Sequence, residues 1–297
     1  MKYLVTGGAG FIGSNIVNSL VDAGHGVIVI DNESSDSHEY FHYNDRAKYY
    51  RHDICDYEKI KHLFENVDTV FHCAAEARIQ PAIINPLKAV MTNSYGTCSV
   101  LQAARESGVR RVVYSSTSSA YGLVNQIPNV ETQPDDCLNP YSVSKVSGEK
   151  LCKMYSDLFG LETVVFRYFN VYGENQPTKG QYAPVIGLFL KQRKNKEPLT
   201  IVPDGEQRRD FTHVSDVVSA NVLASTVKLE TYGQVFNVGT GTNFSVNEIA
   251  KLISDDTVLI NPRPGESRET LADITKTKKT LGWNPKVQLE DWIAQQL

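Results

Sequence analysis

Sulfur and indole are scarce in this 297-residue sequence, which has five cysteines, three methionines and two tryptophans. The cysteines (Cys55, Cys73, Cys98, Cys137 and Cys152) are odd in number, scattered and never in a Cys-x-x-Cys pair. They predict the reduced thiols of a cytoplasmic protein, not a disulfide framework or a zinc site. No His/Cys/Asp/Glu grouping with ligand spacing is visible, so no metal is expected. Positive charge is not in excess either: the net charge is −4. That argues against a nucleic-acid binder and leaves any anionic ligand to local Arg, Lys or helix N-termini. The chain opens on no charged-then-apolar leader and has no apolar run of about 18 residues, which predicts neither a secretion signal nor a membrane span. Repeats, low-complexity tracts and flexible linkers are missing too. One large domain or two unequal, tightly joined lobes are expected at this length.

What is present begins with a short apolar strand, residues 2–6, running straight into Gly7-Gly8-Ala9-Gly10-Phe11-Ile12-Gly13. A helical pattern follows over 12–23. Strand, glycine turn and helix form the context in which glycines let a backbone approach a pyrophosphate at a helix N-terminus. The apolar strand 27–30 then ends in Asp31, 18 residues past Gly13, where a carboxylate binds a ribose 2′-hydroxyl and repels a 2′-phosphate. The cofactor is therefore read as NAD, not NADP. Residues 32–44 read as a polar surface loop and 48–50 as a brief strand, with Asp53 and Ile54 beside the adenine. A helix over 57–66 leads to a strand at 69–72, whose end, Ala74-Ala75, leaves room for a cofactor to pass. One long helix is expected over 86–107, with Asn93 as a polar group in the core near the cofactor. The strand 111–115 delivers Ser115 and Thr117, 125–140 is loop, and a helix from Tyr141 reaches 159. With the strand 161–167 this is a repeated β-α pattern, which implies an α/β fold: a Rossmann-type, doubly wound parallel sheet.

After Tyr168 the alternation ceases. Residues 1–168 are expected to form the dinucleotide-binding domain and 169–297 a smaller C-terminal substrate lobe, built from 182–195, 199–202, 214–229 and the last helices. A strand at 234–238 is expected to return to a sheet. Helices 86–107 and 141–159 are expected to expose an apolar stripe for a two-fold partner, giving a homodimer.

The chemistry concentrates in Thr117 and Tyr141-Ser142-Val143-Ser144-Lys145. A Tyr and a Lys four apart share a helix face. An ammonium held near the phenol favours the phenolate, so the Tyr pKa is expected to fall below its usual ~10. Such a phenol can take a proton from a sugar hydroxyl while hydride leaves the same carbon, and the Thr117 hydroxyl can share that proton. His213, Asp210 and Asp216 are read as structural.

These segments resemble the extended short-chain dehydrogenase/reductases, and within them the nucleotide-sugar 4-epimerases of the UDP-galactose 4-epimerase type. The resemblance spans essentially the whole chain. It is carried by Thr6 through Gly13, Asp31-Asn32, His72-Cys73-Ala74-Ala75, Tyr141-x-x-x-Lys145 and Arg167-Tyr168-Phe169-Asn170-Val171-Tyr172-Gly173, then by Arg209-Asp210-Phe211-Thr212-His213-Val214 and Arg263-Pro264-Gly265-Glu266. It implies Tyr141 as acid/base, Lys145 as its tuner and a ligand of the nicotinamide ribose, and Thr117 as partner of the sugar hydroxyl. It implies an NAD site of Gly7, Gly10, Phe11, Ile12, Gly13, Asp31, Asn32, Asp53, Ile54, Ala74, Ala75, Asn93, Ser115, Tyr141, Lys145 and Tyr168. Asn170, Arg209 and one or both of Arg263 and Arg268 would bind the sugar diphosphate, where a guanidinium fork suits phosphate. Thr270 stands where some epimerases carry a bulky Tyr, leaving space for an N-acetylated sugar.

The activity implied is NAD-dependent C4 epimerisation of a nucleotide-diphosphate sugar, UDP-sugars favoured, through a transient 4-keto sugar. The alternatives are a 4,6-dehydratase, a uronic-acid decarboxylase or another enzyme of the scaffold, and, in a different class, an NAD-binding sensor. An intact Thr117/Tyr141/Lys145 set argues against the sensor, because binding alone does not require it.

Overall fold

The computed structural model describes residues 1–179, 183–262, 265 and 267–297. Seven strands form one sheet: β1 (Lys2–Thr6), β2 (Gly26–Ile30), β3 (Lys48–Tyr50), β4 (Thr69–His72), β5 (Arg111–Thr117), β6 (Glu162–Tyr168) and, from far along the chain, β11 (Gln234–Val238). Their order is β11-β6-β5-β4-β1-β2-β3, and every neighbouring pair is parallel. Apolar strands of this kind are buried on both faces, and successive residues serve opposite layers. Val5, Val29, Phe71, Val113 and Phe166 pack in one core with α1 (Phe11–Asp22) and α8 (Val214–Thr226). Leu4, Ile28, Val70, Val112 and Val165 pack in the other with α5 (Thr97–Glu106) and α6 (Pro140–Phe159).

Three expectations are corrected between β3 and β5. The helix expected over 57–66 is one α turn, α2 (Tyr57–Ile60), followed by a 3-10 turn, Lys61–Phe64. A short α3 (Ile79–Ile84) was not foreseen. The helix expected over 86–107 is continuous but not uniform: α4 (Pro86–Val90) passes through a π-helical stretch, Met91–Gly96, into α5. The wider turn directs Asn93 inward, where its amide bonds the Glu76 backbone at 2.8 and 3.0 Å and the Ser144 hydroxyl at 2.9 Å.

The C-terminal lobe consists of small pieces. β7 (Val171–Tyr172) pairs with β10 (Thr212–His213), β8 (Leu199–Ile201) with β13 (Thr257–Leu259), and β9 (Arg208–Asp210) with β12 (Asn243–Ser245). With α7 (Val185–Lys194), α9 (Val246–Ile253) and α11 (Leu289–Gln296) they bury a third core around Phe189, Ile249 and Trp292. The remaining helix, α10 (Thr275–Leu281), packs beside β11.

Candidate functional site

A cleft of about 1160 Å³ opens at the C-terminal ends of the sheet strands and is closed on its far side by the C-terminal lobe. Its floor begins at the glycine turn. Gly7 has φ +69°, and a Cβ there would stand 2.7 Å from the Ala74 nitrogen; at Gly13 it would stand 2.1 Å from the Gly7 carbonyl oxygen. Only glycine lets β1, β4 and the start of α1 come so close. No side chain caps α1, so its first-turn N–H groups, on cleft-lining Phe11, Ile12 and Gly13, are available to an anion. At the end of β2 the Asp31 carboxylate lines the cleft while accepting the Ala9 and Glu33 N–H groups at 3.0 and 2.8 Å. Burial pushes its pKa up, against those two bonds. This uncapped turn and inward carboxylate fit a dinucleotide.

Gly10, Asn32, Ile54, Ala74, Ala75, Ser115 and Tyr168 line the same cleft. Two residues expected there do not. The Asp53 carboxylate turns to the Asn32 amide, 2.9 Å, and the Cys55 N–H, 2.8 Å. Asn93 stands behind the wall, where its amide ties the Glu76 segment to α6.

Thr117, Tyr141 and Lys145 all line the cleft. Thr117 is the last residue of β5. Pro140 opens α6 and Asn139 caps it, accepting the Ser142 N–H at 2.9 Å, which fixes Tyr141 in the first turn. Behind Thr117, a buried Arg167 binds Glu149 (2.6 and 2.9 Å) and Asp135 (2.5 Å), and Glu149 accepts the Ser116 hydroxyl. These bonds anchor the strand end. Electrostatics depart from expectation. Lys145 is buried and its ammonium sits 4.4 Å from the centroid of the Tyr114 ring. Burial lowers its pKa to about 8. The Tyr141 pKa is raised by burial, with a Thr117 contact pulling it back. The expected depression is not found, because desolvation outweighs the polar help from Thr117.

In the lobe, Asn170, Arg209 and Thr270 line the cleft. The Asn170 amide donates to the Asp210 carbonyl at 3.0 Å and the Thr270 hydroxyl at 3.3 Å. Arg209 is steadied by the Arg208 and Arg268 carbonyls, 2.9 and 3.2 Å. Arg268 is a correction: its exposed guanidinium forms a two-pronged pair with Asp204 (2.8 and 3.1 Å) away from the cleft. A nearby carboxylate captured it. Arg263 lies outside the described residues, as do Pro264 and Glu266 of its motif. Asp210 is buried and accepts the Thr240, Gly241 and Ala272 N–H groups, while Asp216 accepts those of Lys286 and Val287. His213 packs on Tyr172 and Trp292.

Among the residues missed by sequence reasoning is a group in the stretch read as a surface loop. Ser34, Ser35, Asp36, Ser37, His38 and Phe41 line the cleft, and Ser37 is buried. Arg78 lines it as well. The signal available for Arg78 was an arginine between the alanines that end β4 and an apolar stretch. Among the described residues there is no group of three His, Cys, Asp or Glu poised for a metal, and no helix long and apolar enough to cross a membrane.

The architecture and the cleft define a Rossmann-type dinucleotide-binding enzyme. Residues 3–239 match the model of the NAD dependent epimerase/dehydratase family, and the chain belongs to that family. A UDP-glucose 4-epimerase of Mycolicibacterium smegmatis is 35% identical over 306 residues, covering 99% of this chain and 97% of its own. A UDP-glucose 4-epimerase of Thermotoga maritima, solved with UDP-glucose, superposes with TM-score 0.92 at 37% identity, covering 99% and 96%. One of Thermus thermophilus, solved with NAD, gives 0.89 at 30% identity, covering 99% and 96%. The chain is thus an extended short-chain dehydrogenase/reductase of the NAD-dependent nucleotide-sugar epimerase type.

Proposed function

We propose that this chain interconverts a UDP-sugar and its C4 epimer, UDP-glucose and UDP-galactose first and the N-acetylated pair second. NAD, when bound, supplies the hydride acceptor and donor. Tyr141, favoured as phenolate by the positive charges that bound NAD+ and Lys145 would place beside it, takes the proton from the C4 hydroxyl and returns it, Thr117 hydrogen-bonds that hydroxyl, and Lys145 holds the ribose beside the phenol. Asn170 and Arg209 hold the diphosphate about which the 4-keto sugar turns. Thr270, whose hydroxyl is bonded by Asn170, leaves the sugar side open to an N-acetyl group. Thr200 and Val202 of the cleft wall flank the base.

The observation that carries this reading is the pair Ser118 and Ser119, which lines the cleft directly after Thr117. Related dehydratases hold an Asp-Glu pair at these positions, and decarboxylases keep a Glu at the second. The acidic residues lining the cleft among the described residues are Asp31, Asp36 and Glu76, and Glu76 is paired with Lys88 at 2.6 Å. A serine hydroxyl titrates far outside the working range and cannot supply the acid for elimination. NMR of products from a panel of nucleotide sugars tests the reading. An equilibrium mixture of C4 epimers without net NADH is expected. A 4-keto-6-deoxy sugar, or CO2 from UDP-glucuronate, would overturn it.

The proposal takes residues 1–168 as the NAD half and 169–297 as the sugar half, with β11 lent back to the sheet. It includes a homodimer: Ile84, Leu87, Met91, Tyr95 and Val143 are exposed apolar side chains on the α3–α5 and α6 surfaces. Light scattering of the purified protein at twice the chain mass is the expected result.

A further inference from the structure

Arg78 immediately precedes α3, makes no side-chain cap for it, and stands in the cleft wall. Its Nη2 is sealed from solvent and has no hydrogen-bond partner. The acids near enough to act on its charge are Asp36 and Glu76, neither of which forms an ion pair with it among the described residues, and Glu76 is held by Lys88. A guanidinium stays protonated even where burial disfavours it. Leaving such a donor dry and unpaired is costly, so a fold that keeps one in a ligand cleft is completed by an anion.

The surroundings identify which anion. Arg78 faces the 32–44 segment, which lies on the glycine turn: the His42 N–H donates to the Ala9 carbonyl at 2.9 Å. In the same segment the Nε2 of His38 is 3.6 Å from the point where a Gly10 Cβ would be. The charge of Arg78 reaches His38, whose pKa is lowered to about 4, chiefly by burial, so the imidazole is neutral. A neutral imidazole therefore stands beside the uncapped first turn of α1, with the Arg78 guanidinium of the same cleft near enough to act on it, while Asn170 and Arg209 belong to the opposite lobe.

We propose that Arg78 is a ligand of the dinucleotide pyrophosphate: its guanidinium donates to a phosphate oxygen that the first-turn N–H groups of α1 hold from the other side. His38 supplies a second, neutral donor at the rim. The cation that the glycine turn lacks is thus brought in from the end of β4.

The test uses the purified chain and its Arg78→Met and Arg78→Lys variants. Met keeps the bulk and removes the donor; Lys restores the charge. The readouts are NAD released per chain on heating, Kd for NAD, Kd for UDP, and Tm with and without saturating NAD. Arg78→Met is expected to weaken NAD binding about 10- to 100-fold, the scale of a charged hydrogen bond. Arg78→Lys recovers part of that loss, UDP affinity changes less than about twofold, and saturating NAD returns the Tm of the Met variant to that of the parent. Unchanged NAD affinity overturns the assignment. So does a loss of UDP affinity with NAD retained, which would give Arg78 to the nucleotide sugar. A Tm deficit that NAD does not restore makes Arg78 structural and overturns it as well.

Discussion

The two sides of the cleft hold their polar side chains by different means. On the sheet side, Asp31, Ala74, Thr117 and Tyr168 stand at or just beyond the ends of parallel strands whose register is fixed by two buried cores. Moving one of them requires moving a strand. On the lobe side, Asn170 stands just before the two-residue β7 and Arg209 within the three-residue β9, and hydrogen bonds to carbonyls and to Thr270 help to orient them. In the function proposed here, chemistry falls to the sheet side and recognition to the lobe side. Substitutions on the first should therefore change turnover or cofactor affinity, and those on the second KM.

The largest effect expected is on the rigid side. Tyr141→Phe should retain fold and NAD but lose kcat by about 10²–10⁴, the usual contribution of a positioned acid/base. Thr117→Ala should lose less and Thr117→Ser least; steady-state kinetics rank them. Next is the lobe. Arg209→Ala should raise the KM for the UDP-sugar by the equivalent of about 1.5–3 kcal/mol with kcat nearly kept, the scale of hydrogen bonds to a charged group. A kcat loss without a KM change would break the comparison. Asp31→Ala should weaken NAD by about 1–3 kcal/mol and relax discrimination against NADP, read by titration calorimetry.

A smaller and pH-dependent effect follows from Lys145. Burial lowers its pKa from 10.5 to about 8, so between these values the unfolded chain binds more protons than the folded one. This group's contribution to stability therefore rises with pH across that window, by at most about 1.4 kcal/mol per unit. Lys145→Met removes the slope, and its stability advantage over the parent in NAD-free protein should shrink from pH 8 to pH 10 in urea titrations. The smallest effect belongs to Arg268→Ala. Its guanidinium is exposed on Asp204, so KM should change by less than about threefold.

Legibility in the sequence follows the same division. The sheet was readable because apolar strands, the glycine turn and the 18-residue step to Asp31 are local patterns, and Thr117, Tyr141 and Lys145 fall at element ends that such patterns locate. The π-helical stretch was not readable: the bonds its Asn93 makes, to Glu76 and Ser144, are to residues distant in sequence or across a packed interface. The 32–44 segment looked like a surface loop because its composition is polar, yet polar residues are also what a cofactor cleft requires. Arg209 and Arg268 looked alike in the sequence. Asp204, 64 residues before Arg268, decides that one leaves the cleft. The Tyr141 pKa was misjudged for a related reason, since the burial that raises it comes from packing that the sequence does not display.

The central claim is that one sugar carbon is oxidised transiently and reduced on its other face without leaving the cleft. UDP-glucose carrying deuterium at C4 tests it most directly, with the product analysed by NMR and mass spectrometry in ordinary water. The account predicts UDP-galactose that keeps its deuterium at C4, and the same label retention at a far lower rate in Tyr141→Phe. Deuterium lost to solvent, or found at no sugar C4, would contradict it.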